Sequence, residues 1–505
     1  MSASPYKQLE QEFKRVHAFR GAIALLRWDA AVMMPRGSSD VRGEQLAALE
    51  TEHHALLTAP RVTRLLERAQ ASTQGLTDWQ VANLREMRRQ RDHAIATPAS
   101  LVSRMARTTA RAEAQWLAAR QQGKFELFAP HLEEVVSLVR DKAALLGQAL
   151  NLSPYDALID EFSPGISSAD IDAVFKVISR RLPALIREVI TLQDPHPPLP
   201  VAGKFPASKQ RALVLEIMKT MGFPFDRGRL DESEHPSTLG VPGDIRVTTR
   251  FEGTDPFSGL LGALHETGHA MYDLGLPAEW RDQPVGRDRG MVVQESQSLF
   301  LEMLVCRSRA FARYLVPLLH KHFGVSGPEW DVDNVYTLLT RVRRGQIRVD
   351  ADELTYPLHI LLRYELEKRL LAGELAVRDL PAAWNEGMEQ RFGIRPANDI
   401  EGCLQDIHWA VGAFGYFPSY VLGAVIGVQL FDALRAEVHD LDEQVALGDF
   451  AGVFGWLRAR VHAQGSRMTV QELLQEATGK PLSAVPLVRY LEGKYLEGAA
   501  SSAAA

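Results

Sequence analysis

Cysteine is scarce. The 505 residues hold two, Cys306 and Cys403, so no disulfide framework builds this fold. Long apolar runs are missing as well. The best stretch, Tyr416 to Leu430, carries Pro418, Ser419 and several glycines, and reads as a buried core helix rather than a membrane span. Positive charge is not in excess: 57 Lys and Arg face 63 Asp and Glu, a formal net charge of -6. That balance argues against a dedicated nucleic-acid binder, which would show a basic stripe. Met1 to Arg20 is interrupted by Lys7, Glu10, Glu12, Lys14 and Arg15 and has no apolar signal-peptide core, so the cytoplasm is the expected location. No internal repeat at a fixed period is visible.

Apolar side chains are plentiful, at 46% of residues with 24% charged, enough for a large core. Residues 5–33, 38–58, 60–72, 77–95, 98–122 and 127–150 place apolar residues three and four apart, the spacing of amphipathic helices. Ser168 is the expected cap of a helix over 169–192, a proline-rich loop covers 194–203, and helix returns over 205–221. Residues 222–255 are dense in Gly, Pro, Asp, Ser and Thr. There Ile245-Arg246-Val247-Thr248-Thr249-Arg250-Phe251 alternates, which predicts a small sheet of two or three strands. Helix is expected again from Asp255 to about residue 493. The fold class expected is all-α, with a small β-sheet insertion. Residues 1–498 should form one helical domain of two lobes around a groove, and 499–505 a low-complexity tail.

The strongest local signal is His265-Glu266-Thr267-Gly268-His269. Histidines at i and i+4 share one helix face, so both imidazoles can bind one cation, and Glu266 between them can reach a water on it. Zinc is the usual metal for this arrangement. Asp255 is the expected N-cap with Pro256 at the first helical position, and Gly275 followed by Pro277 ends the helix. A catalytic zinc needs a third protein ligand and an open position. Glu295 is the candidate, on a second helix beginning near Gly290 after a loop over 275–288.

Further elements follow in order: Trp28-Asp29 with Met34-Pro35-Arg36-Gly37, Asp244-Ile245-Arg246-Val247-Thr248, Ile347-Arg348-Val349-Asp350-Ala351-Asp352, and Gly402-Cys403-Leu404-Gln405-Asp406-Ile407-His408-Trp409. With the zinc element they resemble the carboxypeptidase Taq family of zinc metallocarboxypeptidases over nearly the whole chain. Two departures stand out. The family's H-P-F is His235-Pro236-Ser237 here, and its His before the glutamate ligand is Gln294. They bear on substrate preference and on tuning of the metal.

The resemblance implies a mostly helical fold with a long, deep groove and a homodimer. It also implies broad release of C-terminal amino acids from peptides, with terminal proline a poor substrate. One zinc per chain is expected on His265, His269 and Glu295, with cobalt as a substitute; Glu266 would be the general base. His408 and Tyr420 are candidate donors to the developing oxyanion. For His408 the competing reading is a core histidine bonded to Asp406; for Tyr420 the rival is Tyr416. Arg348 and Arg246 are candidates to grip the substrate's free carboxylate, with His235 near the same pocket. The competing reading pairs Arg348 with Asp350 or Asp352, and Arg246 with Asp244. Two other functions compete: a helical zinc endopeptidase or oligopeptidase, and a non-enzymatic helical binding protein with a degenerate metal site. Peptides with a free C-terminus are the expected partners, with no nucleic acid and no membrane.

Overall fold

The amphipathic segments become long helices. The computed structural model describes residues 4–497, so the tail expected at 499–505 lies outside the described residues. The first six helices are Pro5–Val32, Ser39–Thr58, Pro60–Gln70, Asp78–Ala96, Ala99–Gln122 and Ala129–Leu150. Their ends fall within two residues of the apolar periodicity, the usual uncertainty of a fraying helix end. The helix Ser168–Gln193 starts one residue earlier than expected. Ser167, not Ser168, is its cap: the Ser167 hydroxyl accepts from Asp170 N and the Asp170 carboxylate accepts from Ser167 N.

The β insertion is a three-stranded sheet in the order β1-β3-β2, with β1 Gly228–Glu232, β2 Ser237–Val241 and β3 Asp244–Thr249. β1 runs parallel to β3, and β2 antiparallel. Ile245 and Val247 are fully buried, as the alternation requires. The strand stops at Thr249, short of the expected Phe251.

Two stretches expected to be helical are not. Between Leu339 and Tyr356 the chain is irregular, apart from a single turn at Arg348–Asp350, and from Gly393 to Phe417 it has no regular helix. Gly393, Gly412 and Gly415 sit at φ 67°, 74° and 85°, left-handed conformations that interrupt a helix. These two irregular stretches carry Arg348 and His408.

Beyond them lies the helix Pro418–Glu437. It is apolar enough to cross a membrane by composition, but 72% of that window is buried inside the fold. It is a core helix, with Val421, Leu422, Val425 and Val428 shielded from solvent. It packs along Met291–Leu299, the helix of the expected third ligand. One apolar core spans most of the chain from Ala112 onward. A smaller one, with Leu9, Phe13, Leu65 and Met87, joins the first helices to each other.

Candidate active site

The helix Ser258–Gly275 carries both histidines. Its N-cap is Phe257, so Pro256 lies outside the helix. Asp255 still serves that end, its carboxylate accepting from the N–H groups of Phe257 and Ser258 at 2.8 and 3.4 Å. Gly275 closes the helix as expected, and the next helix starts at Met291 behind Gly290.

Glu295 comes back against the histidine pair. Its Oε2 lies 3.6 Å from His265 Nε2 and 3.8 Å from His269 Nε2, and the three ligand atoms lie within 4.8 Å of one another. The opposite ring nitrogens are taken. His265 Nδ1 is 3.0 Å from Glu302 Oε2, and His269 Nδ1 is 3.0 Å from Gln294 Oε1. Gln294 donates its amide nitrogen to Asp273 at 2.8 Å, which turns its oxygen toward His269. Both imidazoles therefore turn Nδ1 to these partners and Nε2 to the space beside Glu295. Two imidazole nitrogens and a carboxylate oxygen, oriented this way, fit a divalent metal ion.

Three helices meet here because two residues lack a Cβ. A Cβ on Gly268 would sit 2.6 Å from Gln297 O, and one on Gly423 2.5 Å from Glu295 Cβ. Glu302 lies on a π-helical turn, Phe300–Val305, and is held by Arg307 at 2.7 Å. Burial would raise the Glu302 carboxyl, but Arg307 and His265 outweigh it and hold it at about 2. It is an anion that keeps the His265 ring in place.

Glu266 is buried beside the ligand pair. The Thr238 hydroxyl on β2 lies 2.9 Å from its carbonyl oxygen and 2.8 Å from its carboxylate. Burial raises the Glu266 carboxyl, against the pull of His265 and Thr238. A carboxylate raised this way is a better proton acceptor than an exposed one.

Arg348 is also buried. Its partner is Asp406, at 2.9 Å from Nε and 2.8 Å from the terminal nitrogen, rather than Asp350 or Asp352. Arg363, a residue the sequence did not single out, grips the other oxygen of Asp406 and the Gln405 side chain at 2.6 and 2.7 Å. Two guanidiniums thus share one carboxylate. The guanidinium of Arg348 lies 5.1 Å from the Tyr420 ring centroid, and Tyr356 borders it.

His408 Nε2 lies 3.4 Å from the Tyr420 hydroxyl, and its Nδ1 is 3.9 Å from Asp406, beyond hydrogen-bond reach. Burial pushes the His408 imidazole down to about 4 despite Asp406, so the ring is neutral at pH 7. Burial likewise pushes the Tyr420 hydroxyl up to about 12, keeping it a donor. Tyr416 touches both rings, at 5.5 Å from His408 and 5.3 Å from Tyr420.

Arg246 is committed elsewhere. It makes a two-point pair with Asp244 at 2.6 and 3.0 Å and lies over the Trp28 ring at 4.5 Å, beside Arg229 at 5.1 Å. His235 is exposed in the loop between β1 and β2, where its carbonyl accepts from Ser233 at 2.6 Å. The next residue, Pro236, abuts Gly262, one turn before His265.

Sequence reading missed Arg363, Glu302, Thr238 and Tyr356. Glu302 had a usable signal: it lies two helical turns after Glu295. Arg363 had none, since the side chains it grips lie more than forty positions downstream.

A family model described as Carboxypeptidase Taq (M32) metallopeptidase matches residues 8–495. The chain is 36% identical to Thermostable carboxypeptidase 1 of Thermus thermophilus over 498 residues, covering 96% of this chain and 97% of that protein. It is 34% identical to the protein of the same name from Pyrococcus furiosus, covering 97% and 98%. Among solved structures, Trypanosoma cruzi metallocarboxypeptidase 1 matches with a TM-score of 0.95 at 39% identity, covering 97% of this chain and 99% of that one.

Proposed function

The chain belongs to the carboxypeptidase Taq (M32) family of metallopeptidases, and from that premise we propose a zinc-dependent carboxypeptidase that releases single C-terminal residues from peptides. Its preference is broad, with terminal proline a poor substrate. The observation that carries this reading is the placement of Glu266 beside the His265–His269–Glu295 donor set, on a chain that also buries two guanidiniums around one carboxylate, Asp406.

Zinc held by these three ligands would supply a Lewis acid and an acidified water. Glu266 takes the proton of the attacking water and returns it to the leaving amine. Tyr420, with His408 beside it, donates to the oxyanion that develops on the scissile carbonyl. Arg348 receives the terminal carboxylate. Arg348 and Arg363 share one hydrogen-bonded carboxylate, Asp406, so N–H groups of the Arg348 guanidinium remain for a substrate anion to meet. An endopeptidase has no use for that contact. Arg246, already satisfied by Asp244, is the weaker candidate for the clamp. His235 lines the approach to the ligand helix.

The substrate groove would run between the N-terminal helices and the larger core, as two lobes of one catalytic domain over 1–498. Cobalt could replace zinc. A homodimer in the cytoplasm completes the reading.

The test is to follow a mixed peptide by mass spectrometry with zinc, after chelation, and after zinc is returned. Stepwise loss of C-terminal residues that stops with the chelator and resumes with zinc is expected. Internal cleavage would favour the oligopeptidase, and no cleavage with no bound metal the binding protein.

A further inference from the structure

Glu367 is fully buried and has no cation within hydrogen-bond distance among the described residues. Such a carboxylate is costly unless donors satisfy it. Three do. Trp409 donates its indole N–H to Oε1 at 2.9 Å. Gly415 donates its backbone N–H to Oε2 at 3.0 Å, and the Tyr155 hydroxyl donates to the same oxygen at 2.8 Å.

The first two donors bracket a short irregular turn. Trp409 directly follows His408, and Gly415 leads through Tyr416 and Phe417 into the helix that carries Tyr420. Gly415 is at φ 85°, and a Cβ there would come within 3.0 Å of the Leu158–Ile159 backbone, so the turn has no slack at this end. Glu367 lies one helical turn after Arg363 on Tyr356–Ala372, and Arg363 holds Asp406 and Gln405. One helix face therefore grips the segment twice, first with a guanidinium and then with a carboxylate.

We propose that Glu367 is a positioning residue for the peptidase reaction, holding the turn of His408 and the helix end of Tyr420 in place through Trp409 and Gly415. The proposal rests on the carboxypeptidase reading for what the turn does, but not for how it is held. The grip needs two carboxylate oxygens. A glutamine has one oxygen, and neither the indole nor the backbone N–H can become an acceptor. In either orientation of the amide, one of the two donors faces an NH2 group. The Tyr155 hydroxyl can turn; the other two cannot.

The test compares wild type with Glu367→Gln at pH 8 in the full chain with added zinc. Amide exchange across Gly412 to Tyr416 should quicken about ten-fold or more, while the Ser258–Gly275 helix keeps its wild-type rates. On a peptide with a free C-terminus, kcat should fall about ten-fold or more, with KM within about three-fold. Trp409→Phe, which removes one donor and keeps an aromatic ring at that position, should move both readouts in the same direction. It also serves if Glu367→Gln fails to fold. Unchanged exchange in the turn, or a uniform change across the molecule with kcat intact, would overturn the proposal. If wild type releases no residues, the functional reading fails, and the exchange pattern alone still decides this one.

Discussion

Gly423→Ala is a one-methyl perturbation that reaches the candidate metal site without replacing any of its three donor residues. The added Cβ would lie 2.5 Å from Glu295 Cβ, 2.8 Å from Glu295 C and 3.0 Å from Ser296 N. Carbon atoms in contact prefer about 3.5–4.0 Å, so the overlap is about 1 Å. Two of the three obstructing atoms belong to the backbone, so no rotamer change relieves it. The helices Met291–Leu299 and Pro418–Glu437 must part, and Glu295 moves with the first. Ligand distances tolerate about 0.2 Å, well under that shift. Overpacking of this kind costs about 1–3 kcal/mol, against up to about 1 kcal/mol gained from alanine's better helix propensity. If the strain falls on the ligand set, zinc affinity drops about 10–100-fold. The assay is competition with a calibrated chelator, beside a thermal melt. Gly427→Ala is the control, since its nearest contact would be a milder 3.2 Å. Wild-type zinc affinity in Gly423→Ala would refute the claim that close helix approach positions Glu295.

Four further outcomes are expected. Glu266→Gln should bind zinc as wild type does and lose about 100-fold or more of kcat, read by metal content beside turnover. Gln294→Ala leaves His269 Nδ1 without this partner and lowers zinc affinity about 10–100-fold in the same chelator competition. Asp406→Asn leaves two buried guanidiniums without their anion; urea unfolding should show a loss of about 3–5 kcal/mol, and an unchanged midpoint would contradict the pairing. The last concerns pH. Burial pushes the Glu367 carboxyl from its ordinary 4.5 up to about 7, so between those values the folded state keeps a proton that the unfolded chain has released. This group's contribution to stability therefore falls as pH rises from 4.5 to 7, by about 3 kcal/mol, and is flat above. Urea unfolding of wild type against Glu367→Gln across that range should show the difference shrinking in wild type's disfavour.

What could be read in the sequence follows from what sequence encodes locally. His265, His269 and Glu295 were legible because i, i+4 spacing and a loop of suitable length are short-range features. The three glycine-interrupted turns after Phe392 were not, because apolar periodicity continues across them while φ at Gly412 and Gly415 forbids helix. The Asp255 cap was half right: the side chain caps backbone N–H groups, but the chain enters the helix at Phe257. Arg348 could be singled out in the sequence while its partner could not. Asp350 and Asp352 are near in sequence, whereas Asp406 arrives only through the fold. Arg363 and Glu367 sit on an unbroken helix and gain meaning only from the segment packed on them.

We infer that this chain removes residues from a free C-terminus, with Arg348 meeting the terminal carboxylate. The most direct test gives the zinc-loaded chain one peptide in two forms, with the terminal carboxylate free and amidated, and compares kcat/KM by mass spectrometry. A charge-assisted contact to a buried guanidinium is worth about 1.5–3 kcal/mol, so the free form should react about 10–100-fold faster and lose residues one at a time. Equal rates on both forms, or cuts inside the peptide, would rule out a carboxylate-directed exopeptidase.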